Sequence, residues 1–363
     1  MEINNTETDE TNEAEGEPPG RLRAGITYNI KKNIQSDLPD AEAEFDDAET
    51  IRTVQSALET AGFSVELYEA TEDLPVRLLR SRPDIVFNIA EGFTGRGREA
   101  QVPAVLNFLG IPFTGSDETT LCIAMDKALC KRIVASCGVS TPDYLLIKSN
   151  TPLSDTGLSF PVIVKPNTEG SGKGISGLSI AADAAALRRI LAEKIAAYKQ
   201  DMLIEEYISG REFTVGILGN GDDLRVFPPM EIIFNDRTQG IYSYEVKRNF
   251  RQYVQYKCPA DISAALRSEI EAAALTVYRA LECRDMARMD FRLSPGGRLY
   301  FIEINPLPGL APGYSDFPML AASCFIDHAA LIRNIMDSAL VRYDLKCRIL
   351  NPSKRIMRDR YYE

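Results

Sequence analysis

A chain of 363 residues with 45% hydrophobic side chains is long for one domain and ample for two or three buried cores, which excludes a wholly disordered protein. Its formal charge of −11 is concentrated at the start, where MEINNTETDETNEAEGEPPG holds seven acids and no base. The remainder carries about −4, an ordinary balance that argues against a nucleic-acid partner. The acidic run is nearly free of large apolar side chains, so residues 1–23 read as a disordered tail. It lacks the basic start and apolar core of a signal peptide, and no later run approaches the roughly 18 apolar residues of a membrane span. The expected setting is therefore the cytoplasm, with no membrane partner. Seven cysteines without a CxxC pair fit reduced thiols there. The lone histidine, His328, excludes a histidine-cluster metal site and argues against a Ser-His-Asp triad.

From Ala24 the pattern alternates. A short strand, Ala24 to Tyr28, precedes an acidic loop over 36–47 and a helix carrying Ile51, Val54, Leu58 and Ala61. Strands follow at Ser64 to Tyr68 and Ile85 to Ile89, with a helix near Glu99 to Leu109. Such alternation predicts an open parallel sheet whose ligands gather at the carboxyl ends of the strands. There the chain reads AEGFTGRGREAQ, Ala90 to Gln101. Its glycines let backbone approach a ligand while Arg96 and Arg98 supply charge, though a turn with solvated arginines reads equally well. Lys127 opens a helix pattern and is by itself an ordinary surface lysine.

The run VIVKPNTEGSGKG, Val162 to Gly174, delivers Lys165 at the end of an apolar strand and then breaks into a glycine-rich loop able to fold over phosphates. It is not a Walker loop, because Asn167 replaces the first glycine and Gly174 follows the lysine. A helix over 184–198, two strands within 202–218 and a strand over 226–234 come next. The long polar and aromatic loop from Asn235 to Ala260 contains YEVK, Tyr244 to Lys247. A helix from Ile262 to Leu281 leads to MARMDFRLSPGGRLYFIEINPLPGLAPG, Met286 to Gly313. Two alternating runs joined by Ser294 to Gly297 predict an antiparallel hairpin. Arg288 and Asp290 share one face of its first strand, and Glu303 and Asn305 one face of the second. If the faces coincide, the set suits Mg²⁺, which takes oxygen ligands from carboxylates and completes its shell with phosphate oxygens. Arg288 then meets the charge that develops in phosphoryl transfer. The apolar residues from Met319 to Leu340 predict one closing helix.

RMDF followed by FIEINPLPG resembles the metal-binding end of the ATP-grasp carboxylate-amine ligases, most closely the D-alanine-D-alanine ligase branch. With LGIPFTGSD, MDK, VIVKP, IEEY with REF, and YEVK in order before them, the resemblance covers roughly Ile85 to Leu340. It implies an α/β protein in which two α+β subdomains clasp ATP, an ATP-grasp fold, preceded by an open parallel-sheet domain. The divisions expected are a tail at 1–23, an N-terminal α/β domain at 24–115, a central subdomain at 116–203, a carboxyl-terminal subdomain at 204–340 and a basic tail at 341–363. The implied activity is an ATP- and Mg²⁺-dependent ligation of a small carboxylate to an amine through an acyl phosphate. Mn²⁺ is the implied substitute ion, and a homodimer is compatible with the family. By resemblance Lys127 and Lys165 contact phosphates, Glu205, Glu206, Tyr207 and Ile208 line the adenine, and Glu212 holds the ribose. Ser171 and Lys247 join Arg288 in catalysis, Gly309 supplies an oxyanion N–H, and Asp290, Glu303 and Asn305 hold the metal. Substrates fall to Glu91, Arg96, Arg98, Arg248, Tyr314 and Ser315.

The chain departs from that family in three places. The segment from Thr27 to Asp37 lacks the glycine-rich loop and the glutamate that grips the first substrate's ammonium, and Arg96, Arg98 and Arg248 stand around the substrate loops. These features predict a substrate pocket altered toward an extra carboxylate or phosphate. The alternatives are a genuine D-alanine-D-alanine ligase and a non-catalytic ATP-binding module.

Overall fold

The computed structural model describes residues 21–32, 40, 42–148, 157–170, 173–175, 179–235, 246 and 249–345. At the amino end β1 (Arg23–Tyr28), β2 (Ser64–Glu69) and β3 (Ile85–Asn88) form the expected parallel sheet in the order β2-β1-β3. Helix α1 (Ala48–Thr60) begins where the Asp47 carboxylate accepts the Thr50 N–H, and it buries Ile51, Val54, Ala57 and Leu58. Helices α2 (Leu74–Arg80) and α3 (Gln101–Phe108) complete this layer, α3 following a 3-10 turn over Arg98–Ala100. The loops after β1 and β3 meet, since Gly92 donates its N–H to Asn29 Oδ1 at 2.9 Å. Both lie at the carboxyl ends of their strands, where a parallel sheet presents its ligands.

Helices α4 (Glu118–Met125) and α5 (Lys127–Ser136) are separated at Asp126, whose extended backbone ends one and whose carboxylate caps the other by accepting the Leu129 N–H. A second sheet, antiparallel in the order β4-β7-β5-β6, comprises β4 (Tyr144–Ile147), β5 (Val162–Pro166), β6 (Ile180–Ala181) and β7 (Met202–Glu206), with α6 (Ala184–Tyr198) packed on it. Strand β7 runs unbroken across position 203 and pairs with β4 as far as Glu205 and with β5 as far as Glu206.

The third sheet holds β8 (Arg211–Leu218), β9 (Arg225–Val226), β10 (Met230–Phe234), β11 (Val254–Lys257), β12 (Met286–Leu293) and β13 (Leu299–Asn305), in the order β11-β10-β8-β12-β13 with β9 on β8. The strand expected over 226–234 is thus two, because Pro228 and Pro229 have no N–H to give a ladder. Part of the loop from Asn235 to Ala260 forms α7 (Phe250–Tyr253) and β11, and α8 (Ala264–Ala280) packs on the sheet through Ile270, Ala274 and Val277. The expected closing helix is also two, α9 (Asp316–Ser323) and α10 (His328–Arg342), which meet at 99°. Phe325 takes a left-handed conformation at the break and Asp327 caps α10 through the Ala330 N–H, so local capping overrides the continuous apolar pattern. Ile332, Ile335 and Met336 then share a core with Ile51, Val54 and Leu58, which docks the end of the described chain on the N-terminal layer. No single described helix is long and apolar enough to cross a membrane.

Candidate active site

The hairpin of β12 and β13 sets Arg288 opposite Asn305 and Asp290 opposite Glu303. Ala287, Met289, Phe291 and Ile304 enter the core behind it, so the alternation of a strand turns the four polar side chains to the other face. Arg288 donates to both oxygens of Asp290, at 3.2 and 2.9 Å, and lies 3.6 Å from Asp316 at the start of α9. Burial would lower the pKa of its guanidinium, but Asp290 and Asp316 outweigh that and raise it, so the charge is permanent. The amide nitrogen of Asn305 is buried without a hydrogen-bond partner among the described residues. An irregularity after Asp290 leaves Ile302 out of the ladder, and its carbonyl accepts from Lys131 Nζ at 2.9 Å.

Helix α5 carries two lysines from this hairpin toward the second sheet. Lys127 Nζ is 3.6 Å from Glu303 and donates to the Glu169 carbonyl. Lys131, 0% exposed, is 3.1 Å from Glu205 on β7, and Lys165 on β5 bonds the other oxygen of the same carboxylate. The faces again follow from alternation: Val162, Val164, Met202 and Ile204 fill the core behind, which leaves Lys165 and Glu205 on the cleft side. Burial pushes the Glu205 pKa up, yet the two lysines more than reverse it and hold the group ionised. Burial lowers the pKa of Lys131, with Glu205 opposing. The MDK pattern points to Lys127; Lys131, one helical turn on, is the buried residue that joins the two sheets.

At the junction between β7 and β8 the Glu206 carboxylate accepts the Ser159 N–H at 2.8 Å. Arg292 grips Glu212 at 2.7 and 2.9 Å, donates to the Ile208 carbonyl at 2.7 Å and stacks 4.9 Å over the Tyr207 ring. Arg292 thus brings Tyr207, Ile208 and Glu212 together, while Glu205 turns its carboxylate to Lys131 and Lys165. Sequence reasoning passes over Arg292, which fixes those three, although it lies two positions beyond Asp290 on the same face.

The N-terminal side departs further from expectation. The loop after β1 does deliver a glutamate: Glu44 accepts both Arg98 contacts at 2.6 Å and the Gly170 N–H at 2.8 Å. Arg98, only 5% exposed, also bonds the Thr168 carbonyl at 2.8 Å and lies 3.3 Å from Glu169. Arg96 donates to Asp126 at 2.8 Å. Of the two arginines expected to favour an anionic substrate, Arg98 is buried against Glu44 and Glu169, while Arg96 pairs with Asp126 and keeps a 67% exposed side chain. Glu44, Glu91 and Glu99 bring carboxylate oxygens within 4.8 Å of one another. Burial, then Glu99 and Glu44, pushes the Glu91 pKa well above the usual range; burial, then Glu44, pushes Glu99 up to about 7.

On the opposite side, a Cβ on Gly309 would come within 2.8 Å of Ser315 Oγ, which accepts the Ala311 N–H at 3.2 Å. Tyr314 packs edge-on against Phe250 at 6.1 Å. Ser171, Lys247 and Arg248 lie outside the described residues.

Two antiparallel sheets joined across buried lysines, with paired carboxylates and an asparagine on the inner hairpin, are the architecture of an ATP-grasp protein. The D-ala D-ala ligase C-terminus family matches residues 133–337. An uncharacterised protein of Sinorhizobium fredii, y4sG, is 33% identical over 299 residues, covering 80% of this chain and 87% of that one. The D-alanine-D-alanine ligase of Gloeobacter violaceus is 35% identical over 297 residues, covering 80% and 93%. Among solved structures, the D-alanine-D-alanine ligase of Bacillus anthracis complexed with ATP superposes with a TM-score of 0.71 at 23% identity, over 90% of this chain and 99% of that one. The VanG D-Ala:D-Ser ligase of Enterococcus faecalis gives 0.66 at 20%, over 88% and 99%. This chain belongs to the D-alanine-D-alanine ligase family.

Proposed function

We propose that this protein is an ADP-forming, ATP-dependent ligase that joins the carboxylate of one small amino acid to the amine of a second, with D-alanine as the first substrate to test. The observation that carries the reading is the register of the inner hairpin, which aligns Asp290 with Glu303 and Arg288 with Asn305 on one face. In the proposed reaction a substrate carboxylate oxygen attacks the γ-phosphorus of ATP and releases ADP. The amine then attacks the acyl phosphate, the C–N bond forms, inorganic phosphate leaves, and the amine gives up a proton.

Asp290, Glu303 and the Asn305 amide oxygen are a hard-oxygen donor set on one face that fits Mg²⁺. Such an ion, when bound, neutralises charge on the phosphates. The remaining roles belong to side chains. Lys127 and Lys165 hold phosphate oxygens, residues 205–208 with Glu212 and Arg292 hold the nucleoside, and Arg288 stabilises charge on the transferred group. Gly309 offers an N–H to the tetrahedral oxyanion. Glu91 and Tyr314 stand beside the substrates.

The test is ADP release with ATP, Mg²⁺ and D-alanine, compared with D-alanine plus D-serine and with acidic amino acids. D-alanine should support turnover and yield a dipeptide. Nucleotide binding without ADP release on any of these amines would refute the reading and favour a non-catalytic nucleotide-binding module.

A further inference from the structure

Gly174 lies in the glycine-rich segment between β5 and β6, and its surroundings leave it no freedom. Its φ is +70°, and a Cβ there would come within 2.6 Å of Pro166 and 3.1 Å of the Tyr198 ring. Its carbonyl accepts from Lys194 of α6 and, at 3.3 Å, from the Ser179 hydroxyl. Its N–H reaches across to the N-terminal layer and donates to Asp40 Oδ2 at 2.8 Å. Tyr198 of α6 donates its hydroxyl to that same oxygen at 2.9 Å. Asp40 is only 4% exposed, and its other oxygen is buried without a partner among the described residues. A buried carboxylate with one orphaned oxygen is costly, so its place must be held by what the bonded oxygen does.

We propose that Asp40 is a positioning residue: together with Tyr198 it couples the N-terminal layer to Gly174 and so holds Gly174 against Pro166, the residue next to Lys165, which steadies the nucleotide side of the cleft. The coupling is separate from the Glu44 contacts with Arg98 and Gly170, since Glu44 holds Gly170 while Asp40 holds Gly174. Nucleotide affinity then depends on a side chain that lies in another layer and touches no part of the cleft described above. The inference rests on the nucleotide reading of that cleft, but its first readout does not.

The experiment is amide hydrogen exchange on the full, ligand-free chain, followed by direct ATP titration, for wild type, Asp40→Ala, Asp40→Asn and Tyr198→Phe. Asp40→Ala removes the acceptor, so the Gly174 amide should exchange roughly tenfold faster and ATP should bind roughly 3- to 10-fold more weakly. Asp40→Asn keeps an acceptor oxygen and should recover most of both effects; Tyr198→Phe should lie between. A folded Asp40→Ala with unchanged Gly174 exchange overturns the latch. So does a uniform loss of thermal stability in which exchange at Gly174 rises no more than elsewhere. If Asp40→Ala does not fold, Tyr198→Phe decides by the same two readings. Failure of wild type to bind ATP would refute the nucleotide reading alone, because the exchange comparison still judges the coupling.

Discussion

Glu205→Gln tests the electrostatic centre of the cleft. In the folded protein one carboxylate serves two ammonium groups, Lys131 at 3.1 Å and Lys165 on the other oxygen, and all three side chains are buried. An amide of the same shape keeps the packing but removes the anion bonded to both lysines, which leaves uncompensated buried charge. Breaking such a pair from one side costs about 3 to 5 kcal/mol. Part of that loss is relieved if Lys131, whose pKa burial already lowers, gives up its proton, since each tenfold fall in its proton affinity is worth about 1.4 kcal/mol. The sign follows: a lysine depressed in the folded state binds fewer protons there than when unfolded, so the variant should regain stability as pH rises toward about 10. Urea unfolding at neutral and alkaline pH measures both effects, and Lys131→Met added to Glu205→Gln should restore part of the loss. A cost below about 1 kcal/mol, the range of exposed pairs, would refute the buried-centre argument.

Glu303→Gln should leave circular dichroism unchanged while ADP release falls by roughly 10²-fold or more, since a neutral amide cannot balance a divalent ion; wild-type turnover would remove Glu303 from the metal set. Lys165→Met removes a charge-assisted contact worth about 1.5 to 3 kcal/mol, so ATP affinity or turnover should drop roughly 10- to 150-fold, and an unchanged titration would refute the phosphate role. Glu99, raised to about 7, binds more protons folded than unfolded between about pH 4.5 and 7, so it destabilises the fold as pH climbs through that window. Melting curves of Glu99→Gln should therefore fall less with rising pH than those of wild type, and parallel curves would count against the carboxylate cluster.

The features legible in the amino-acid sequence are those whose geometry is fixed within one element. Period two put Arg288 and Asp290 on one face of the first strand and Glu303 and Asn305 on one face of the second, but the register leaving the short turn at 294–297 would pair Asp290 with Ile302, and it is the irregularity after Asp290 that brings the two faces together. Lys165 could be read because a proline and a glycine-rich run end its strand, which places it at the strand's carboxyl end. Where an apolar period ran through a cap, the reading failed: Asp327 and the left-handed Phe325 divide 316–342 into two helices although hydrophobicity continues across the break.

Glu44, Asp40 and Arg98 belong to a different class. Each lies in a loop without periodicity, and Glu44 is one acid in a run of them, so nothing local distinguishes the carboxylate that will be buried. What selects it is the approach of the second sheet, whose Gly170 N–H and the neighbouring Arg98 need an acceptor once water is excluded. The same desolvation turns Arg98 from a ligand for an anionic substrate into a partner of Glu44, since a buried guanidinium takes the nearest carboxylate with fitting geometry. Charge read along the chain therefore could not tell Arg98, which is buried against Glu44, from Arg96, whose side chain stays largely exposed. The charge balance of this pocket is set by which acids the fold brings in from 126 and 44, residues remote in sequence from the loop at 90–101 that they neutralise.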